Sequence, residues 1–213
     1  MSKLYFKFGA MGSSKTAQAL MTKFNYEEKG ETVWLIKPAT DNRDDTVDEY
    51  GNRKTVVRSR IGLSAPAEAV SADTDLFKRF CELAEKTPTG VVICDECQFL
   101  TEKQVDELKR IVDKLSIPVL CFGLRADFQT KLFPGSKRLF EIADSITEIK
   151  SVCRCGRKAT VNARFGDDGV IITEGDQVFI GGNDRYEGMC YKCYRKLIEE
   201  RDAEKTASET KHR

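Results

Sequence analysis

The chain has 213 residues, 40% of them hydrophobic and 32% charged, and its 35 Lys and Arg against 34 Asp and Glu leave a formal net charge of +1. That length suits one medium α/β domain with a small appended module, and the balanced charge argues against a global electrostatic footprint for nucleic acid or an anionic membrane. No apolar run approaches the roughly 20 residues that span a bilayer, and the opening Met1–Phe8 lacks the apolar core and cleavage site of a signal peptide. A cytoplasmic protein with no membrane or nucleic-acid partner is expected.

The first apolar run, Leu4–Phe8, reads as a buried strand. Gly9-Ala10-Met11-Gly12-Ser13-Ser14-Lys15-Thr16 follows it and opens a helical pattern over residues 14–24. Strand, glycine-rich turn and helix start form the context of a phosphate-binding loop. Backbone N–H groups and the helix dipole favour phosphate there. Lys15 is placed to reach the β- and γ-phosphates of ATP, and the Thr16 hydroxyl to coordinate Mg²⁺. Ser14 stands where such loops usually carry a second glycine, and its Cβ is expected to crowd the phosphates.

Residues 33–36 read as a second strand and residues 75–86 as a helix. Val91–Cys94 is a further strand, and it ends in Asp95-Glu96. Acids at a strand end beside a phosphate loop lie where an open α/β sheet places its ligands. Asp95 suits the Mg²⁺ shell, and Glu96 suits acceptance of a proton from an attacking hydroxyl. Over Glu102–Leu115, Val105, Leu108, Ile111, Val112 and Leu115 share one helical face, and Thr101 with Gln104 forms a capping box. Residues 119–122 are another buried strand. Alternating strands and helices predict a mostly parallel sheet with helices on its faces over residues 1–150.

Past residue 150 the pattern changes to a glycine-rich segment with short strands at 170–173 and 177–180 and a hairpin turn at Gly166-Asp167-Asp168-Gly169. Cys153 and Cys155 bound it on one side, Cys190 and Cys193 on the other. In a cytosolic chain, close pairs across a long loop suggest metal, and four thiolates suit a closed tetrahedral Zn²⁺. A redox disulfide at Cys190–Cys193 is the competing reading. Cys81, Cys94, Cys97 and Cys121 read as buried small hydrophobes, and the lone histidine, His212, as a solvated tail residue. A short helix is expected at 194–201 and disorder from 202 onward. The expected organisation is a nucleotide-binding core at 1–150, a zinc lobe at 151–195 and a tail at 196–213.

The ordered combination of the Gly9–Thr16 loop, Asp95-Glu96-Cys97-Gln98-Phe99, Phe128-Gln129, the cysteine pairs and Ile180-Gly181-Gly182-Asn183-Asp184-Arg185-Tyr186 resembles the thymidine kinase family of the small, zinc-containing type. The resemblance covers most of residues 3–195. It implies a RecA-like P-loop core and a small C-terminal zinc lobe whose lasso loop closes over the nucleoside. It also implies transfer of the γ-phosphate of ATP to the 5′-hydroxyl of thymidine, giving thymidine monophosphate for deoxynucleoside salvage and DNA precursor synthesis, by a homotetramer. Carried over by motif, Asp41-Asn42-Arg43 is a second nucleotide-contacting segment, Asp95, Glu96, Cys97 and Gln98 flank metal and phosphates, and Glu96 is the catalytic base. Met11, Leu124 and Phe128 match the nucleoside pocket. Gln177, Val178, Phe179, Ile180 and Gly181 match the lasso segment whose backbone reads the base, and Tyr186 the aromatic that closes over it. Two features depart from the pattern: Ser14, and the shortened spacing of Cys153 and Cys155. An ATP-driven nucleic-acid protein with a zinc ribbon shares the same motifs, and it would need a basic stripe interleaved with aromatics.

Overall fold

A computed structural model of the chain describes residues 2–47, 49–51, 53–177 and 185–211. The chain groups into two compact units. The first comprises Met1–Phe8, Ser14–Arg125 and Phe133–Ile149; the second comprises Gly9–Ser13, Ala126–Leu132 and Lys150–Arg213.

The first unit contains β1 (Leu4–Phe8), α1 (Lys15–Glu27), β2 (Val33–Pro38), four short strands β3 (Thr46–Val47), β4 (Arg53–Lys54), β5 (Val56–Arg58) and β6 (Ser64–Pro66), then β7 (Glu68–Val70) and α2 (Leu76–Lys86). It continues with β8 (Val91–Cys94), a 3₁₀ turn at Cys97–Phe99, α3 (Glu102–Leu115), β9 (Val119–Gly123), α4 (Pro134–Ile142) and β10 (Ser145–Glu148). Six of these strands form one sheet in the order β10-β1-β9-β8-β2-β7. Every pairing in it is parallel, with Phe8 opposite Gly123 and Ile36 opposite Cys94. Helices cover both faces of the sheet, and β8 and β9 are accordingly apolar and buried along their whole length. On one side Phe6, Trp34, Val92 and Cys121 pack with Leu76, Phe80, Val105, Leu108 and Ile111. On the other, Leu35, Ile93, Leu120 and Phe122 pack with Ala19 and Leu20. β3–β4 and β5–β6 are separate antiparallel pairs. The buried Lys37 holds this region, donating to the Val56 carbonyl and pairing with Asp45 at 2.9 Å.

The expected capping box is present, with Gln104 N donating to Thr101 Oγ1 and Thr101 N donating to Gln104 Oε1. Cys94, Cys97 and Cys121 are buried as expected, and Cys81 is half-buried.

The second unit has a three-stranded antiparallel sheet of β11 (Val161–Phe165), β12 (Ile171–Ile172) and β13 (Tyr186–Met189), with β11 in the centre. The hairpin turn forms where expected: Gly166 N donates to Val170 O, Gly169 N to Gly166 O, and Gly169 takes a φ of +74°. Strand pairing there is shorter than expected, only Ile171–Ile172. Gln177 lies outside any strand, and Val178, Phe179 and Ile180 lie outside the described residues. His212 does too. The largest correction is at the C-terminus, where α5 runs from Tyr191 to Lys211 instead of ending at 201. Residues 202–211 are Ala-, Glu- and Lys-rich good helix formers, and α5 carries i,i+4 pairs Arg195–Glu199 and Lys196–Glu200. Polarity does not prevent a helix that needs little burial. Among the described residues, no helix is long and apolar enough to cross a membrane.

Candidate active site

In the first unit the parallel sheet brings its strand ends to one edge. Asp41, Asn42 and Arg43 follow β2, Asp95 to Gln98 follow β8, and Leu124 follows β9. Lys15 and Thr16 open α1. Ser14 precedes them in the left-handed conformation, φ 60° and ψ 27°, with its side chain exposed. A serine in this conformation carries φ strain that a glycine would not.

Lys15 is buried, and burial lowers its pKa against the opposing charges of Glu96 and Asp95. Burial likewise pushes the Asp95 carboxyl up to about 7, helped by the charge of Glu96 and opposed by a hydrogen bond from the Thr16 hydroxyl. A carboxylate held in this way gains most from a nearby cation. Asp95 with Thr16 offers the hard oxygen donors that suit Mg²⁺.

Glu96 takes a φ of +51°, unusual for a residue with a side chain. Its carboxylate is gripped from two sides. Arg43 Nη2 donates to Oε1 at 2.9 Å, and Gln98 Nε2 donates to Oε2. Arg43 is in turn held by Asp41 at 2.7 Å. Burial opposes the Arg43 charge, but the hydrogen bond from Asp41 and the charge of Glu96 outweigh it, so the pKa rises. Gln98 is 1% exposed, and its Oε1 accepts the Leu124 N–H at 2.9 Å. Gly123 makes this possible, since a Cβ there would lie 2.6 Å from both Cys97 Sγ and Gln98 Oε1. Cys97 itself is buried, with its thiol pKa raised by burial; it packs and does not face solvent.

Other residues expected at the nucleoside site belong to the second unit. Phe128 is 1% exposed, and the Arg164 guanidinium lies 5.2 Å from its ring centroid and 6.0 Å from that of Tyr186. The Phe128 carbonyl accepts Tyr194 Oη at 2.7 Å. Buried Asp127 organises the surrounding turn. Its Oδ1 accepts Gln129 N and Lys131 N, and its Oδ2 accepts Gln177 Nε2 at 2.8 Å. Gln129 Nε2 reaches back to the Gly175 carbonyl. Gln177 is thus tied to the Phe128 turn, while Val178, Phe179, Ile180 and Gly181 lie outside the described residues. Gly9, Ala10, Met11, Gly12 and Ser13 also belong to this unit, and Met11 N donates to Asn162 Oδ1. Asp127, Asn162, Arg164 and Tyr194 were not expected from the sequence, because single polar residues in strands and turns carry no spacing signal.

The four paired cysteines come together. The Sγ atoms of Cys153, Cys155, Cys190 and Cys193 all lie within 4.8 Å of one another, and Cys155 and Cys190 Sγ are 3.6 Å apart. A tetrahedron with bonds of about 2.3 Å has edges of about 3.8 Å, so the spacing fits Zn²⁺. The shortened first pair is accommodated by a tight turn, in which Cys153 N donates to Arg157 O, Gly156 N donates to Cys153 O, and Gly156 has φ +82°. The Cys193 backbone N–H at the start of α5 is the main influence pulling the Cys190 thiol down, to about 7. All four are free thiols, including the Cys190–Cys193 pair.

A parallel sheet with a loop-to-helix phosphate segment and paired acids at a neighbouring strand end defines the phosphate-loop class of α/β nucleotide-binding proteins. The sequence model of the family described as "Thymidine kinase" matches residues 2–194. Proteins named thymidine kinase from Vibrio vulnificus (strain CMCP6) and Novosphingobium aromaticivorans are 45% and 46% identical to the chain over 198 residues, 93% of this chain and 99% of theirs. One from Vibrio cholerae is 44% identical over the same span. The chain belongs to the thymidine kinase family.

Proposed function

We propose that the protein is an ATP-dependent, Mg²⁺-requiring thymidine kinase that forms thymidine monophosphate in the cytoplasm, with a structural Zn²⁺ in its second unit. The observation that carries the reading is the gripped carboxylate of Glu96, beside Asp95 and Lys15 at the strand ends. Phosphoryl transfer needs positioning and charge neutralisation more than covalent help. Asp95 and Thr16 would hold Mg²⁺, which would supply neutralisation of the triphosphate's charge.

Lys15 neutralises the phosphates alongside the N–H groups that follow Gly9. Glu96 accepts the proton of the 5′-hydroxyl as that oxygen bonds to the γ-phosphorus and the bond to the β-phosphate oxygen breaks, releasing ADP. Both Glu96 oxygens already accept one hydrogen bond each, yet a carboxylate has about four acceptor positions, so about two remain and one can serve the substrate. Arg43 and Gln98 hold the base in a single pose. The family motifs assign Met11, Leu124, Phe128 and Tyr186 to the nucleoside. Gln177, tied to Asp127, anchors the start of the segment through Gly181 that reads the base.

Cys153, Cys155, Cys190 and Cys193 would hold Zn²⁺ and leave no open position, so the ion would supply folding energy and no chemistry. A homotetramer is supported by apolar residues left exposed on α1, Met21 and Phe24, which line a hollow of about 570 Å³ with Leu63 and Ala65 of the β5–β6 pair. The test of substrate is phosphate transfer from labelled Mg-ATP to a panel of deoxynucleosides. Thymidine should be the preferred acceptor. DNA-stimulated ATP hydrolysis with no labelled nucleoside would replace the reading with a nucleic-acid motor.

A further inference from the structure

Asn162 and Gly188 face each other across β11 and β13. Together they hold the backbone of Ala10 and Met11. Asn162 is 4% exposed, and both ends of its amide are used: Oδ1 accepts Met11 N–H at 2.8 Å, and Nδ2 donates to the Ala126 carbonyl at 2.9 Å. That orientation satisfies both partners, and the flipped amide would satisfy neither. Opposite it, a Cβ on Gly188 would lie 2.4 Å from the Met11 carbonyl oxygen and 3.3 Å from Ala10 Cβ. Ala10 packs into the unit's apolar cluster beside Val161, Ala163 and Met189. One cross-strand pair therefore supplies a donor, an acceptor and an open space shaped to a passing loop.

The two segments that Asn162 joins carry different parts of the substrate site. Gly9–Ser13 carries Met11, and Ala126–Leu132 carries Phe128. We propose that Asn162 is a positioning residue for the nucleoside, fixing the separation of Met11 and Phe128 by holding one segment with each end of its amide. The inference rests on the thymidine reading. Phe128 is already immobilised on its far side by Tyr194 and by the Asp127 turn, so the link to Ala126 sets where that rigid turn stands relative to Met11. Small displacements of positioning groups are costly to catalysis.

The test compares Asn162→Leu, of similar branched shape and with neither hydrogen bond, and Asn162→Asp, which keeps the acceptor for Met11 but sets a carboxylate oxygen against the Ala126 carbonyl. Steady-state kinetics on the soluble full-length enzyme should show KM for thymidine raised about tenfold in Asn162→Leu, and raised also in Asn162→Asp. KM for ATP should rise less than KM for thymidine, since Asn162 holds the phosphate loop only at Met11 and neither end of the amide touches Lys15 or Thr16. A purely structural role would reduce the active fraction, and so apparent kcat, while leaving KM for thymidine unchanged; that result overturns the proposal. If Asn162→Leu is insoluble, the Asn162→Asp constants decide. A wild-type enzyme that transfers no phosphate to thymidine would instead overturn the substrate reading.

Discussion

Gln98→Leu removes both grips of a buried amide at once. The Leu124 N–H loses its acceptor in a setting where Gln98 is 1% exposed, which costs about 1–3 kcal/mol. Glu96 loses a charge-assisted bond, worth about 1.5–3 kcal/mol. Its side chain is 18% exposed and keeps Arg43, so water can replace part of that bond and the lower end applies. Together the loss is about 3 kcal/mol, and for a chain of this size that lowers Tm by roughly 6–12 °C. Catalysis should suffer as well, because Glu96 in its left-handed backbone conformation would be held from one side only. A fall in kcat of about 10–100-fold is expected, with KM for ATP little changed. Thermal melts and steady-state thymidine phosphorylation on the same preparation read both effects. A variant with wild-type Tm and wild-type kcat would refute the argument that Gln98 braces the base.

Cys190→Ser should lose the metal, and elemental analysis should fall from close to one zinc per wild-type chain to a small fraction, with reduced solubility because a structural site contributes folding energy. Full zinc content in the variant would exclude Cys190 as a ligand. Ser14→Gly should relieve the positive φ, a gain of about 1 kcal/mol that raises Tm by roughly 2–4 °C. An unchanged or lower Tm would mean the strain is not there.

The readable parts of this fold are those where burial leaves a one-dimensional trace. β1, β8 and the ends of α3 match the apolar runs and the capping box residue for residue, because β8 is buried throughout, β1 buries Leu4 and Phe6, and Thr101 and Gln104 are three positions apart. β7 and β10 leave little trace, since edge strands such as Ser145–Glu148 are half-solvated and polar. α4 opens with Pro134-Gly135, which reads as a turn. Proline is at home in the first helical turn, and Gly135 is there because a Cβ would meet the Cys97 carbonyl at 2.6 Å. The site divides in the same way. The paired acids and the paired cysteines are legible from spacing alone. Asn162 is not, because its partner Met11 is 151 positions away in the chain and only the fold brings them together. The Arg43–Glu96 contact, 53 positions apart, is hidden for the same reason.

The most direct measurement of the central claim is the single-turnover rate of phosphate transfer from Mg-ATP to thymidine in wild type and Glu96→Gln, with nucleotide affinity measured alongside. Glu96→Gln keeps the shape of the side chain and one oxygen to accept from Arg43, at the cost of setting an NH2 against the Gln98 donor, and it cannot take the proton. The transfer rate should fall by about 10²–10⁴-fold while ATP binding stays near wild type. Transfer at the wild-type rate by the folded variant would contradict the account, because the carboxylate that Arg43 and Gln98 hold in place would then not be the base.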